Sequence, residues 1–198
     1  DVASGSSVRQ VETDAGTVAQ LELTSDGARL IGVLDDVGVE LWDVGSGDRL
    51  FRTEVDSDTQ AVTSSAFNPS GDAVAIGRSD GSVETWLLTD TGVPGVGSTR
   101  PKAWRLSATT RRHSDAVTWV EFDGVDALVI SSSRDGSVVV SDASTGALRG
   151  GPIVFDGTGS LASFFDPETG EVVTIDSLGK TWRWSAGSGF GLVTTIGV

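Results

Sequence analysis

Four stretches of this 198-residue chain align with one another: "GVELWDVGSGDRL", "GSVETWLLTDTGV", "GSVVVSDASTGAL" and "GKTWRWSAGSGFGL". Their anchor positions are Trp42, Trp86, Ser141 and Trp184, spaced by 44, 55 and 43 residues. Upstream of each lies a second shared element: "LELTSDGARLIGV", "SAFNPSGDAVAIG", "VEFDGVDALVISS" and "SFFDPETGEVVTI". Each of these reads as an apolar strand, a Gly-containing turn and a second apolar strand. A unit of four short strands cannot cover both of its apolar faces alone, so it must stack on its neighbours. A period of about 40 to 45 residues with four strands per unit is the pattern of a propeller blade.

The local chemistry agrees with that period. "AFNPSGDAVAIG" sets Asn-Pro-Ser-Gly between two strands, where Pro fixes one turn dihedral and Gly accepts a positive φ. "RSDGSVETW" and "SRDGSVVVS" each place Asp-Gly, a strong hairpin signal, between apolar runs. No window holds a helical apolar period, and 26 glycines with 6 tryptophans suit short strands with bulky anchors. No run of 18 apolar residues exists, which excludes a helical membrane span. A net charge of −14 repels a phosphate backbone and argues against nucleic acid as a partner. The chain has no Cys, hence neither disulfides nor a thiolate metal site. It also has no Met, even at its first position, and "DVASGSSVRQVET" lacks a basic or apolar targeting pattern, which implies a processed product or a fragment.

The expected fold is therefore all-β, with four blades of four antiparallel strands. Blade I takes residues 16–57, with strands a to d at about 17–23, 28–34, 37–43 and 48–54. Blade II takes 58–112, with strands at about 61–67, 72–77, 81–88 and 102–107 and a long c–d loop at 88–102. Blade III takes 113–156, with strands at about 116–122, 127–132, 136–142 and 147–154. Blade IV takes 157–198, with strands at about 160–165, 171–176, 179–185 and 190–196. Residues 1–15 hold "SVRQVET", at 7–13, which reads as strand d of a preceding blade. That is one strand too many for four complete blades, so the array is a partial propeller.

From Thr17 onward this pattern resembles WD40 repeats, and "DASTGALRGGPI" resembles repeats of bacterial, especially actinobacterial, multidomain signalling proteins. The resemblance implies a buried hydrogen-bonded set in each blade: a His before strand a, a Ser or Thr in strand b, an Asp in the b–c turn and a Trp in strand c. Blade III offers His113, Ser131 and Asp135, with Ser141 standing in place of the Trp. Blade I offers Asp36 and Trp42, and blade II Asp80 and Trp86. Asp14, Asp58 and Asp156 occupy the His position elsewhere, and blade IV has Leu178 where the turn Asp is expected. The array is degenerate. In this reading His113 is structural, donating one ring N–H to Asp135 and accepting from Ser131.

No catalytic or metal constellation surrounds that lone His. Catalysis needs a nucleophile and an orienting group, and an N/S zinc site needs further His or Cys ligands. Asp35 and Asp36, with Asp14, Asp58 and Asp156, would cluster at one end of the blades, but without the alternating spacing of a calcium loop. They read as turn caps. We expect no cofactor. Arg111, Arg112 and His113, with Arg134 before the b–c turn, form a basic island on an acidic chain and are the expected contact for a protein partner. Trp119 lies in an innermost strand and is the tryptophan placed to face a channel, whereas Trp182 and Trp184 alternate onto one sheet face.

The resemblance implies a noncatalytic, cytoplasmic protein–protein interaction or sensing scaffold within a larger bacterial signalling protein. It also implies a propeller completed by a second chain, either a copy or the remainder of a parent, because an unpaired edge and uncovered blade faces are poorly tolerated. The alternative is a propeller enzyme, lactonase-like or quinone-dependent. Against the first, the starts of strands a read Gly16-Thr17, Gln60-Ala61, Asp115-Ala116 and Gly159-Ser160, a poor ligand set. Against the second, Leu148 and Arg149 stand where such repeats carry a Trp.

Overall fold

The computed structural model describes residues 11, 13, 17–34, 38–53, 61–90, 102–125, 127–154, 159–185 and 191–196. They form sixteen strands in four antiparallel sheets, and no helix occurs among them. The first sheet is β1 (Val18–Leu23), β2 (Arg29–Leu34), β3 (Gly38–Asp43) and β4 (Arg49–Arg52). The second is β5 (Val62–Phe67), β6 (Ala73–Arg78), β7 (Ser82–Asp90) and β8 (Lys102–Arg111). The third is β9 (Val117–Phe122), β10 (Leu128–Ser133), β11 (Ser137–Asp142) and β12 (Leu148–Val154). The fourth is β13 (Ser160–Phe165), β14 (Val172–Asp176), β15 (Thr181–Ser185) and β16 (Gly191–Ile196). Each sheet pairs its strands in sequence order, as the repeat requires.

Alternation along each strand sends neighbouring residues to opposite faces, and both faces of the middle blades are buried. Ile31, Val33, Val39 and Leu41 of the first sheet pack on Phe67, Val74 and Ile76 of the second, with Phe51 and Trp86 ring centroids 4.8 Å apart. The other face of the second sheet, with Ala66, Ala73, Ala75 and Val83, receives Val117, Val120 and Val129. Ile130, Val138 and Val140 then pack on Val172 and Trp184. Small residues let the inner strands approach: a Cβ on Gly77 would stand 2.5 Å from a methyl of Val117. Polar stitches run beside this packing. Ser64 accepts from the Val120 N–H at 3.2 Å, and Ser132 donates to Ser163, itself 2.8 Å from Thr174.

The second blade departs from the expected bounds. Strand c continues to Asp90 and strand d starts at Lys102, where the two residues pair, so positions 88–90 and 102 belong to the ladder rather than to an irregular loop. The extension is anchored by Trp104, opposite Leu88 and 6.0 Å from the Phe51 ring. Strand d also runs past 107 to Arg111, which pairs with Ser82. The remainder of the expected loop lies outside the described residues. So does most of "SVRQVET", although its Val11 packs on Trp42 and Leu34.

Candidate functional site

His113 is buried between the second and third blades, and both ring nitrogens are engaged. Nε2 lies 2.8 Å from the Ser131 hydroxyl, and Nδ1 lies 2.7 Å from the hydroxyl of Ser137. Asp135 is farther, 3.8 Å from Nδ1. The direct His–Asp bond expected from sequence is thus replaced by a relay through Ser137, whose hydroxyl donates to Asp135 at 2.5 Å. Asp135 also accepts the backbone N–H of Ser114 at 2.6 Å and of Ser137 at 2.8 Å. Its own burial opposes ionisation, but these hydrogen bonds outweigh that cost and hold its carboxyl down at about 2. Burial pushes the His113 ring below its ordinary value, against the pull of Asp135, so the ring is neutral at pH 7.

The proton positions follow. An ionised Asp135 only accepts, so the Ser137 hydrogen points to it and the Ser137 oxygen must accept from Nδ1–H. Nε2 is then the bare nitrogen and takes the Ser131 hydrogen. The polarity is one-way, Ser131 to His113 to Ser137 to Asp135, and the ring has no lone pair left to offer a substrate. Ser137 is the residue that sequence reasoning missed. The signal was present in the "DGS" of both "SDGSVETW" and "RDGSVVVS", where the Ser after Gly bonds back to the Asp. In the second blade Ser82 makes the same return to Asp80, at 2.6 Å from the hydroxyl and 3.0 Å from the N–H.

Elsewhere the expected set does not assemble into one network. Trp86 donates its ring N–H at 3.0 Å to Glu84, not toward Asp80, and Glu84 also accepts from Nε and Nη2 of Arg78 at 2.8 and 3.0 Å. Trp42 is buried, but Asp36, like Asp14, Asp35, Asp58 and Asp156, lies outside the described residues. In the fourth blade Leu178 is exposed and the turn is organised by Asp176 two positions earlier. Asp176 accepts the N–H groups of Leu178 and Lys180 at 2.9 Å each and the Trp182 ring N–H at 3.2 Å. These bonds hold its carboxyl below the usual range despite the opposing effect of burial. Trp182 and Trp184 do share a face, stacked at 6.2 Å. Ser141, half-buried in the Trp position, pairs with Val129 and Leu148.

The arginines separate. Arg111 bonds the Asp80 carbonyl at 3.0 Å and stays largely exposed, beside the turn whose Gly81 abuts the His113 carbonyl. Arg134 is exposed in the adjacent turn, its backbone against Gly159. Arg112, also exposed, turns instead toward the Gly146 carbonyl in the c–d turn of the third blade, at 3.2 Å. Arg111 thus lies at the b–c turn of the second blade, Arg134 at that of the third and Arg112 at the c–d turn of the third.

The inner strands line a groove of about 550 Å³, with Gln20, Glu22, Trp119 and Glu121 on its walls. Trp119 is 38% exposed there, on the innermost strand, and its ring N–H lies 3.3 Å from Glu121. Burial pushes the Glu22 carboxyl up to about 7, and Glu121 is raised for the same reason. Among the described residues, no three His, Asp or Glu side chains converge as metal ligands.

Comparison with known proteins places this geometry. The model of the WD domain, G-beta repeat (WD40), matches residues 50–86, from β4 into β7, and residues 104–142, from β8 through β11. The chain is 27% identical over 123 residues to the chromatin assembly factor 1 subunit FAS2 homolog of Oryza sativa subsp. japonica, over 58% of this chain and 23% of that protein. It superposes on the crystal structure of the computationally designed Ika8 protein with a TM-score of 0.78 at 21% identity, over 99% of this chain and 54% of that one. The chain thus spans under a quarter of the curated relative and about half of the designed structure. Residues 50–86 and 104–142 thus match WD40 repeats, and the four sheets, each paired in sequence order, have the fold of β-propeller blades.

Proposed function

We propose that the chain is a noncatalytic protein-interaction scaffold that holds an acidic partner segment against the turns around His113. The observation that carries this is the rigid anchoring of those turns: the buried Ser131–His113–Ser137–Asp135 relay fixes the backbone from which exposed Arg111 and Arg134 project. A cation on a fixed turn loses little freedom when it meets a carboxylate, which favours recognition by charge and position. The His is consumed by the scaffold, which supports a binding rather than a catalytic role. In the resemblance to bacterial signalling proteins, the chain is a segment of a larger cytoplasmic molecule, and its propeller is completed by a second polypeptide.

A peptide-display library panned on the immobilised chain tests this reading. Acidic peptides are expected to dominate the retained pool, and Arg111→Glu with Arg134→Glu is expected to weaken their binding about tenfold or more, with the difference shrinking at high salt. Arg112→Glu should have the smaller effect. A retained pool with no acidic bias, or one indifferent to both arginines, would remove the site.

A further inference from the structure

The cations of this acidic chain are unevenly spread. Between Asp90 and Asp115 there is no Asp or Glu, whereas Arg100, Lys102, Arg105, Arg111 and Arg112 all fall in that interval. Lys102, Arg105 and Arg111 lie on β8, the last strand of the second sheet, which among the described residues pairs with β7 alone. Its ten residues compare with four, seven and six in the outermost strands of the first, third and fourth sheets. The second sheet packs on the first through one face and on the third through the other, so this edge belongs to an internal blade.

Both flanks of β8 are pinned. Trp104 reaches the Phe51 ring of the first sheet, centroids 6.0 Å apart, and the Ser107 hydroxyl donates at 2.6 Å to the Ser144 carbonyl of the third blade. Between those anchors Arg105 and Leu106 are exposed, Leu106 at 49%. Arg105 pairs with Leu87 and Leu106 with Trp86, so the two lie on opposite faces of the sheet. Lys102 pairs across the ladder with Asp90, and Arg111 lies 4.0 Å from Asp80. Among the described residues Arg105 makes no ion pair and is the unmatched cation of the strand.

An exposed edge invites pairing, and chains guard it with bulges and charges. On β8 the register slips once, leaving Ser107 without an opposite residue, and stays unbroken from Lys102 to Leu106. The basic side chains repel a second β8 but attract a carboxylate. We propose that the Lys102–Leu106 edge receives an extended acidic segment of a partner protein as a fifth strand. Carboxylates of that segment lie on the Arg105 face and apolar side chains on the Leu106 face. Main-chain hydrogen bonds supply the affinity and the alternating side chains the selectivity. Because Trp104 and Ser107 already fix the strand, docking costs it little conformational freedom. The proposal rests on the reading of an acidic partner segment and adds the strand and the pairing mode that receive it.

The probe is a fluorescent peptide of about ten residues alternating Glu and Val, titrated with the intact chain and read by anisotropy. Arg105→Glu and Leu106→Asp are each expected to weaken binding by about tenfold or more, with the Arg105 effect shrinking at high salt. Arg105→Ser replaces Arg105→Glu if the latter fails to fold. N-methylation of one alternate set of peptide nitrogens is expected to abolish binding, and of the other set to leave it nearly unchanged, because a strand pairs through one edge. Binding that survives Arg105→Glu, or that ignores which set is methylated, overturns the proposal. So does equal binding of a single-stranded oligothymidylate of matching charge, since phosphate would then be the ligand. Binding lost with Arg134→Glu but kept with Arg105→Glu overturns the strand assignment and leaves the scaffold reading standing. No binding of the probe by the wild type overturns this proposal alone, because the panned library tests the scaffold reading with unconstrained sequences.

Discussion

The hydroxyl of Ser137 lies 2.7 Å from Nδ1 of His113 and takes up the ring's hydrogen bond before the Asp135 carboxylate can reach it. Asp135 therefore acts on the His at one remove. Removing Ser137 strands the buried Nδ1–H, whereas removing His113 strands the Ser131 hydroxyl and leaves Ser137 still donating to Asp135.

Ser137→Ala should lower stability by about 1–3 kcal/mol, and His113→Ala by at least as much. Urea denaturation of the two single variants and the double variant measures this, with the double costing less than the sum because the groups are coupled. Strict additivity would show that the relay is not a unit.

Acid should expose the buried neutral ring. His113 titrates lower in the folded chain than its ordinary 6.5. As pH falls through 6.5 the unfolded chain takes up this proton first, so the contribution is full above that value and lost below it. His113→Gln should flatten the stability slope between pH 7 and 5. An unchanged slope would mean that the ring titrates alike in the folded and unfolded chain.

Glu22 works in the opposite sense. Its folded value is raised to about 7 from 4.5, so the native state holds the extra proton between those values. That contribution is present at low pH and lost as pH rises through about 7. Glu22→Gln should leave stability at pH 4 close to wild type and raise it at pH 8. Equal effects at both pH values would place the carboxylate in free water.

Gly81 and Gly27 separate backbone preference from steric room. Both adopt a positive φ, 84° and 68°, but a Cβ on Gly81 would stand 2.4 Å from the His113 carbonyl while one on Gly27 meets nothing within 4 Å. Gly27→Ala should cost about 1–2 kcal/mol, the conformational penalty alone. Gly81→Ala should cost more than about 3 kcal/mol. Equal costs in thermal unfolding would show that the His113 segment yields.

The repeat period and turn residues made the strands legible to within about two residues at most ends, because each hairpin carries its own Gly, Asp or Asn-Pro cue. The second blade escaped this because its hairpin is prolonged by a cross-strand partner, Leu88 opposite Trp104, and a ladder partner leaves no local mark. The site was half legible. His113 and Ser131 could be named from their position in the repeat, but Ser137 needed the geometry of an Asp side chain folding back on its own turn. The direction of the Arg112 side chain, set by a carbonyl thirty-four residues away, has no local signal at all.

The sequential strand order of the four sheets also sets how the chain can fold. Among the described residues every hydrogen-bonded strand pair joins strands consecutive in the chain, so a blade closes only short loops before its ladder forms. Such a topology has low contact order within a blade and meets its longer-range contacts only one blade away. Folding can then start in whichever blade is locally strongest and spread in both directions. The third blade, packed between the second and fourth and holding the relay, is the natural starting point, and its amides should be among the slowest to exchange.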